Sequence, residues 1–324
     1  HKSVADGVCD KCGAKMAAQV TADDKTVNFE DIYDAVSFAG ENENAKITLL
    51  NDVTIDNYMD FAGRNVTLDM NGKTIDSADV NRFITVSAGG TFTIIGNGNM
   101  KARFRAEEKC DLVIENGAFE DIVFGGDNIL TVNSGSFAML GLTGGKAIVN
   151  GGTFTKLIIR AEAVLNGGVF AEISGNDFYR FLPDGKAFAG ADDGKFNTAE
   201  YEYYKGIDSC IKNVTIADAP FVITRQPKGR FIAEGATDAS VSVGVTENET
   251  YKGKIAYKWI VGTMSYEDEE FTVEKEGVGD AAAAIIDTTG LGGGVQKTYQ
   301  CIVSYEGYEV KTELATFTIG KGIP

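Results

Sequence analysis

An all-β fold is predicted by three observations. A five-residue unit ending in Phe recurs through the middle of the chain, a short apolar stretch precedes each copy, and 39 glycines stand against 4 prolines among 324 residues. That glycine excess suits many tight turns between short strands. At about 100 to 200 residues per domain, the length calls for two domains.

The repeat is the most informative feature. It aligns Glu115-Asn116-Gly117-Ala118-Phe119, Asn133-Ser134-Gly135-Ser136-Phe137, Asn150-Gly151-Gly152-Thr153-Phe154 and Asn166-Gly167-Gly168-Val169-Phe170. Before these copies stand Leu112-Val113-Ile114, Leu130-Thr131-Val132, Ala147-Ile148-Val149 and Ala163-Val164-Leu165, and an Ile or Leu follows each Phe. The unit reads strand, glycine turn, strand. A period of about 17 residues is too short for a helical-hairpin solenoid and fits one coil of a parallel β-helix. Right-handed crossovers are the rule for parallel strands, so a right-handed parallel β-helix is expected.

Stacked coils place like positions over each other at about 4.8 Å, so Phe119, Phe137, Phe154 and Phe170 are expected to form an internal ladder. The glycines supply the positive φ that a corner needs. Earlier coils are expected at 46–55, 66–75 and 91–98, for about eight coils and roughly 40 Å in all. Ahead of them Phe29, Ile32, Tyr33 and Val36 fall at helical spacing, which predicts a short helix over 29–38 closing the open end. An unclosed end would leave a strand edge free to pair with other chains.

A closing helix, then Lys46 to Ile55, Val66 to Ile75 and Phe92 to Gly98, then coils of the Asn150-Gly151-Gly152-Thr153-Phe154 type, resemble the β-helix segments of large surface proteins from Gram-positive gut bacteria. The likeness covers residues 22–217 and includes Phe181-Leu182-Pro183-Asp184-Gly185-Lys186-Ala187-Phe188. It implies shape and a secreted, cell-surface location rather than a chemistry.

After Pro220 the texture changes. Ile223 to Pro227, Val241-Ser242-Val243, Ala256-Tyr257-Lys258-Trp259 and Tyr299-Gln300-Cys301 resemble a bacterial immunoglobulin-like domain over 218–324. The resemblance implies that Trp259 packs behind Cys301 and that Tyr299 closes a tyrosine corner. Val241 and Val243 occupy the second strand where a partner cysteine would stand, so Cys301 is expected to be a buried thiol. The stretch from Gly292 to Lys297 replaces the usual acidic residue ahead of that corner.

Thirty basic against 47 acidic residues give a net charge of -17, which repels nucleic acid and anionic membrane surfaces. No apolar run reaches the 18 or so residues of a membrane span, and the start at His1 has neither a basic nor an apolar signal region. The chain therefore reads as a fragment, with residues 1–21 a disordered tail. In that tail Cys9-Asp10-Lys11-Cys12-Gly13 has the spacing of half a zinc site, with His1 as the one further ligand nearby. A redox reading of the pair lacks the βαβ context it needs.

Parallel β-helices also carry polysaccharide lyases and hydrolases. His1 is the sole histidine, so a histidine base in the body is excluded, and the candidates for a carboxylate and arginine site are Asp69, Asp76, Asp79, Arg82, Arg103 and Arg105. Exposed aromatics would mark a binding face: Tyr33, Tyr58, Phe178, Tyr179 and, in an acidic cluster, Tyr201, Tyr203 and Tyr204. The expectation is a non-enzymatic surface adhesin or stalk contacting glycans or host and surface proteins, with no cofactor beyond zinc at Cys9 and Cys12. A carbohydrate-cleaving enzyme is the alternative.

Overall fold

The computed structural model describes residues 4–62, 65–79, 81–87, 89–106, 110–175, 178–196, 200–202, 209–265 and 270–320. The chain divides into two compact units, one of residues 1–194 and 198–217, the other of 195–197 and 218–324.

The first unit is a parallel β-solenoid. Its first face stacks Lys46–Leu49, Val66–Asp69, Gly90–Ile95, Cys110–Ile114, Ile129–Val132, Lys146–Val149 and Glu162–Leu165, each parallel to the next. These seven strands define seven coils rather than eight, a stack of about 30 Å. Each coil then crosses a second face, beginning with Val53–Ile55, Thr74–Ser77 and Asn99–Met100, and a third, beginning with Met59–Phe61, Phe83–Val86 and Arg103–Ala106. From Ala118–Phe124 onward a single seven-residue strand spans both faces.

Alternation decides what lies inside. On the first face Ile47, Leu68, Ile94, Ile114, Val132, Val149 and Leu165 stack in one column, every one fully buried. On the second, Val53, Ile75, Met100, Phe119, Phe137, Phe154 and Phe170 stack in another. The expected Phe ladder is present: successive ring centroids lie 5.2, 4.7 and 4.9 Å apart with planes within 12°. Each buried ring contributes about 1.5–3 kcal/mol by burial, and stacked pairs about 0.5–1.5 more.

The turn into the second face requires glycine. Gly117, Gly135, Gly152 and Gly168 have φ of 123, 121, 108 and 119°, and a Cβ on Gly168 would sit 2.8 Å from the ring of Phe170. The ladder ring therefore packs directly beneath a position with no side chain.

The N-terminal end departs from expectation. Residues 18–21, read as tail, belong to Ala18–Ala22, which pairs antiparallel with Lys46–Leu49 and with Lys25–Phe29. Ala18 and Val20 are fully buried, and this apolar alternation, rather than terminal position, sets the order of the segment. The helix runs over Ile32–Gly40, three residues later than its periodicity suggested, because Phe29 ends a strand and Asp31 caps the helix by accepting the Tyr33 N–H at 2.7 Å. It buries Ile32, Ala35, Val36 and Ala39. At the other end Ser209–Asp218 pairs antiparallel with Val169–Gly175, and Lys186–Gly190 lies beyond it.

The second unit is also β. A sheet orders Phe231–Ala233, Ala315–Gly320, Gln296–Tyr305, Ala256–Ser265 and Glu270–Glu276, with Tyr308–Lys311 also on Gln296–Tyr305. Two further pairs join Phe221–Arg225 to Gly244–Glu247 and Ser240–Ser242 to Ala283–Ile285. Trp259 and Cys301 stand in register on neighbouring strands, both fully buried, and the indole N–H donates to Ala281 O at 2.8 Å.

Three measurements check this account. Gly168→Ala is expected to lower urea-unfolding stability by about 1–3 kcal/mol through backbone strain and the ring clash. Phe154→Ala, which opens a gap in the ladder, costs about 3–5 kcal/mol. On the outer surface Lys156 Nζ sits 2.8 Å from Glu172 Oε1, and that ammonium holds the carboxyl below its ordinary pKa. The resulting stabilisation is present above the unfolded carboxyl pKa of about 4.3 and is lost as pH falls through the lower folded value. Glu172→Gln is expected to flatten that part of the acid-unfolding curve.

Candidate functional site

The corner that needs glycine also forms a groove on the solenoid. Where the first face turns into the second, Gly72, Gly98, Gly117 and Gly135 remove side chains from four successive coils and leave a depression of about 530 Å³. Asn97, Asn99, Asn116, Ser134 and Ser136 line it. A second depression of about 330 Å³ shares Asn99, Ala118 and Ser136 with the first and extends to Thr153 and Thr155, with Lys101 and Glu120 also lining it. Together they run across five coils, about 20 Å at the strand spacing.

The groove floor has its backbone already paired. Ala118 N donates to Gly98 O at 2.8 Å, Ser136 N to Gly117 O at 2.8 Å and Thr153 N to Gly135 O at 2.9 Å. The polar groups that the groove presents are therefore side-chain amides and hydroxyls, which both donate and accept. Just ahead of the corner glycines an amide ladder climbs the stack: Asn133 Nδ2 donates to Glu115 Oε1 at 3.0 Å, Asn150 Nδ2 to Asn133 Oδ1 and Asn166 Nδ2 to Asn150 Oδ1, each at 2.8 Å. Within the groove Asn116 Nδ2 donates to Asn97 Oδ1, and Asn116 Oδ1 accepts the Gly117 N–H at 2.8 Å. The Asn97 and Asn116 amides are thus held in one orientation. The Asn and Gly columns are legible in the repeat, whereas Ser136, Thr153 and Thr155 join them only because alternation on the second face points them outward.

The aromatic candidates fall apart as a group. Tyr201 lies on Glu200–Glu202, opposite Ile211 of Ser209–Asp218, while Tyr203 and Tyr204 lie outside the described residues. Phe178 and Tyr179 begin a short 3-10 helix over Phe178–Phe181. Tyr33 ties the helix to the first coil: its hydroxyl donates to Asp56 Oδ1 at 3.1 Å and accepts the Asn57 N–H at 2.8 Å, and burial raises its pKa. Tyr58 is 53% exposed on the third face. In the second unit Tyr251, Tyr305 and Tyr308 gather with Phe196, a cluster that no local sequence spacing announces.

The six residues considered for carbohydrate cleavage are spread over three faces. Asp69 ends a first-face strand, 2.8 Å from Lys46 Nζ, and Asp76 lies on the second face, 3.8 Å from Lys101 Nζ. Asp79 accepts the Asn81 N–H at 2.9 Å in the turn before the third face. Arg82, at the edge of the third face, and Arg103 and Arg105 on it do come together.

Cys9 and Cys12 sit in a folded loop rather than a loose tail. Val4–Ala5 pairs with Val8–Cys9, Gly13 N donates to Cys9 O at 2.9 Å, and Gly13 takes a φ of 73°. The Cys9 sulfur accepts backbone N–H groups from Lys11 and Cys12 and a bond from the Cys12 side chain, which lower its pKa below the usual thiol value. That arrangement fits half of a tetrahedral thiolate site. Among the described residues no third His, Cys, Asp or Glu joins the pair, and His1 lies outside them.

No model of a known protein family matches the chain, and no curated protein matches it. Among the described residues no helix is long and apolar enough to cross a membrane.

Thiol chemistry tests these placements. Burial pushes Cys110 and Cys301 up to about 11, and Cys210 is buried as well, whereas Cys12 is exposed. With iodoacetamide at pH 8, peptide mapping is expected to find Cys12 modified in the native protein. Cys110, Cys210 and Cys301 react only once denaturant is added.

Proposed function

We propose that this chain is a non-enzymatic, extracellular cell-surface module whose solenoid holds an extended polymer, a glycan or a strand of another surface protein, along its glycine corner. The observation that carries this is the groove itself: two adjoining depressions over five coils, lined by Asn, Ser and Thr side chains with Lys101 and Glu120 at one end, and with the Asn97 and Asn116 amides already oriented. Neutral groups that donate and accept match sugar hydroxyls and peptide backbone alike, and a repeating surface suits a repeating ligand.

In this reading residues 218–324 form an immunoglobulin-like sandwich that spaces or presents the solenoid. Its support is the buried Trp259 in register with Cys301, and Tyr299, whose pKa burial raises while the Asp287 backbone bonds its hydroxyl. These are the positions such a sandwich fills with Trp, Cys and a corner tyrosine. The gut-bacterial surface resemblance of the first unit supports the location.

The test is retention of plant polysaccharides, mucins and matrix proteins on the immobilised chain, with retained glycans sized afterwards. Saturable binding is expected, with glycan length unchanged and affinity lowered about tenfold or more by Ser136→Arg, which fills the groove with an exposed side chain. Shortened glycans would overturn the non-enzymatic reading, and undiminished binding by Ser136→Arg would remove the ligand from the corner.

A further inference from the structure

On the third face, away from the glycine corner, three arginines meet two aromatic rings. Adjacent coils align Phe83 with Arg103, Tyr58 stands just ahead of the strand Met59–Phe61 of the coil before, and Asp60, Thr85 and Arg105 align in the next outward column. The Tyr58 and Phe83 rings meet edge to face at 4.7 Å. The Arg82 guanidinium lies 5.4 Å from the Tyr58 ring centre, and that of Arg105 lies 4.7 Å from the Phe83 ring centre. Stacking of this kind holds a guanidinium flat while leaving its N–H edge free to donate.

Among the described residues, three nearby carboxylates are engaged elsewhere. Asp60 accepts from Thr85 Oγ1 at 3.0 Å, from Ser87 N at 3.1 Å and from the Ser87 hydroxyl. Asp79 accepts from Asn81, and Asp121 Oδ2 pairs with Arg103 Nε at 2.6 Å. Among the described residues, neither Arg82 nor Arg105 has a carboxylate partner.

A second observation falls on the same spot. Among the described residues, two buried side-chain polar atoms lack a hydrogen-bond partner: Arg105 Nε and Asp121 Oδ1. They belong to neighbouring strands, where Arg105 pairs in register with Val123, two residues beyond Asp121. A buried donor or acceptor left unpaired costs about 1–3 kcal/mol, so the wall beneath this patch carries two unsatisfied polar atoms under the exposed guanidinium edges.

We infer that this face binds an acidic saccharide. The anionic group, a carboxylate or sulfate, sits between Arg82 and Arg105, and the sugar ring packs on the exposed part of Tyr58. A bare anion satisfies the arginines alone, and a neutral sugar leaves them unanswered. The site shares no residue with the corner groove and stands or falls independently of it.

The test is calorimetric titration of the full chain with a trimer of galacturonic acid, a neutral galactose trimer, a sulfated disaccharide and inorganic sulfate. Saturable binding is expected for the acidic saccharides, weakening as salt rises. Arg105→Gln, Arg82→Gln and Tyr58→Ala are each expected to weaken it about tenfold. Tyr58→Ala alters an exposed side chain and keeps the test decisive if Arg105→Gln misfolds by circular dichroism. Preference for the sulfated over the carboxylated probe supports the site and names its anion. Equal binding of the neutral trimer, equal binding of sulfate alone, or insensitivity to Tyr58→Ala and Arg82→Gln overturns it. Loss of binding in Ser136→Arg would instead place the acidic ligand in the groove and overturn it as well.

Discussion

Register between coils is the constraint on which the first unit depends. Each strand of a coil hydrogen-bonds in parallel to the equivalent strand of the next, so a residue inside one coil sits on its counterpart in the coil before. The buried column from Ile47 to Leu165 is the direct expression of that rule. A slip of one residue would turn every inward side chain outward, which is why alternation is kept from coil to coil. The coils can differ in length, since Leu68 to Ile94 takes 26 residues and Val149 to Leu165 only 16, provided the extra residues leave between strands.

Register also organises the outside. Because inward positions repeat, outward ones do too, and like residues collect into rows without any further design: amides from Asn133 to Asn166 along the corner, ion pairs at Arg103 with Asp121 and Lys156 with Glu172 on the bend. The glycine corner couples the two sides of the wall. Gly117 and Gly135, whose bare Cα atoms seat the rings of Phe119 and Phe137 inside, also line the groove outside. The groove there comes at no separate structural cost.

The second unit is held by a different arrangement. Its sheet is mostly antiparallel and centres on Trp259 and Cys301, which pack side by side with the thiol pushed up to about 11 by burial. Fully buried among apolar side chains, this thiol packs as a small hydrophobe.

Much of the fold was legible beforehand because its signals are local and repeated. Asn-Gly-Gly-Thr-Phe spacing marks a coil, its Phe marks the inside, and its Gly marks the corner, each for a reason contained in a few residues. The helix and the N-terminal strand were placed less well. Phe29 and Val20 are equally consistent with helix, strand or tail until a neighbouring strand fixes the choice. The candidate tyrosines shared only exposure-prone composition, which says nothing of what lies beside them.

The sequence by itself therefore determined the all-β class, the coil repeat, the buried aromatic ladder and the glycine turns, since each follows from steric limits and apolar period within one coil. Only the tertiary structure decided the number of coils, the groove across five of them, and the meeting of Tyr58, Phe83, Arg82, Arg103, Arg105 and Asp121. Those residues span 64 positions of chain between Tyr58 and Asp121, and their proximity depends on turn lengths that stack one coil on the next.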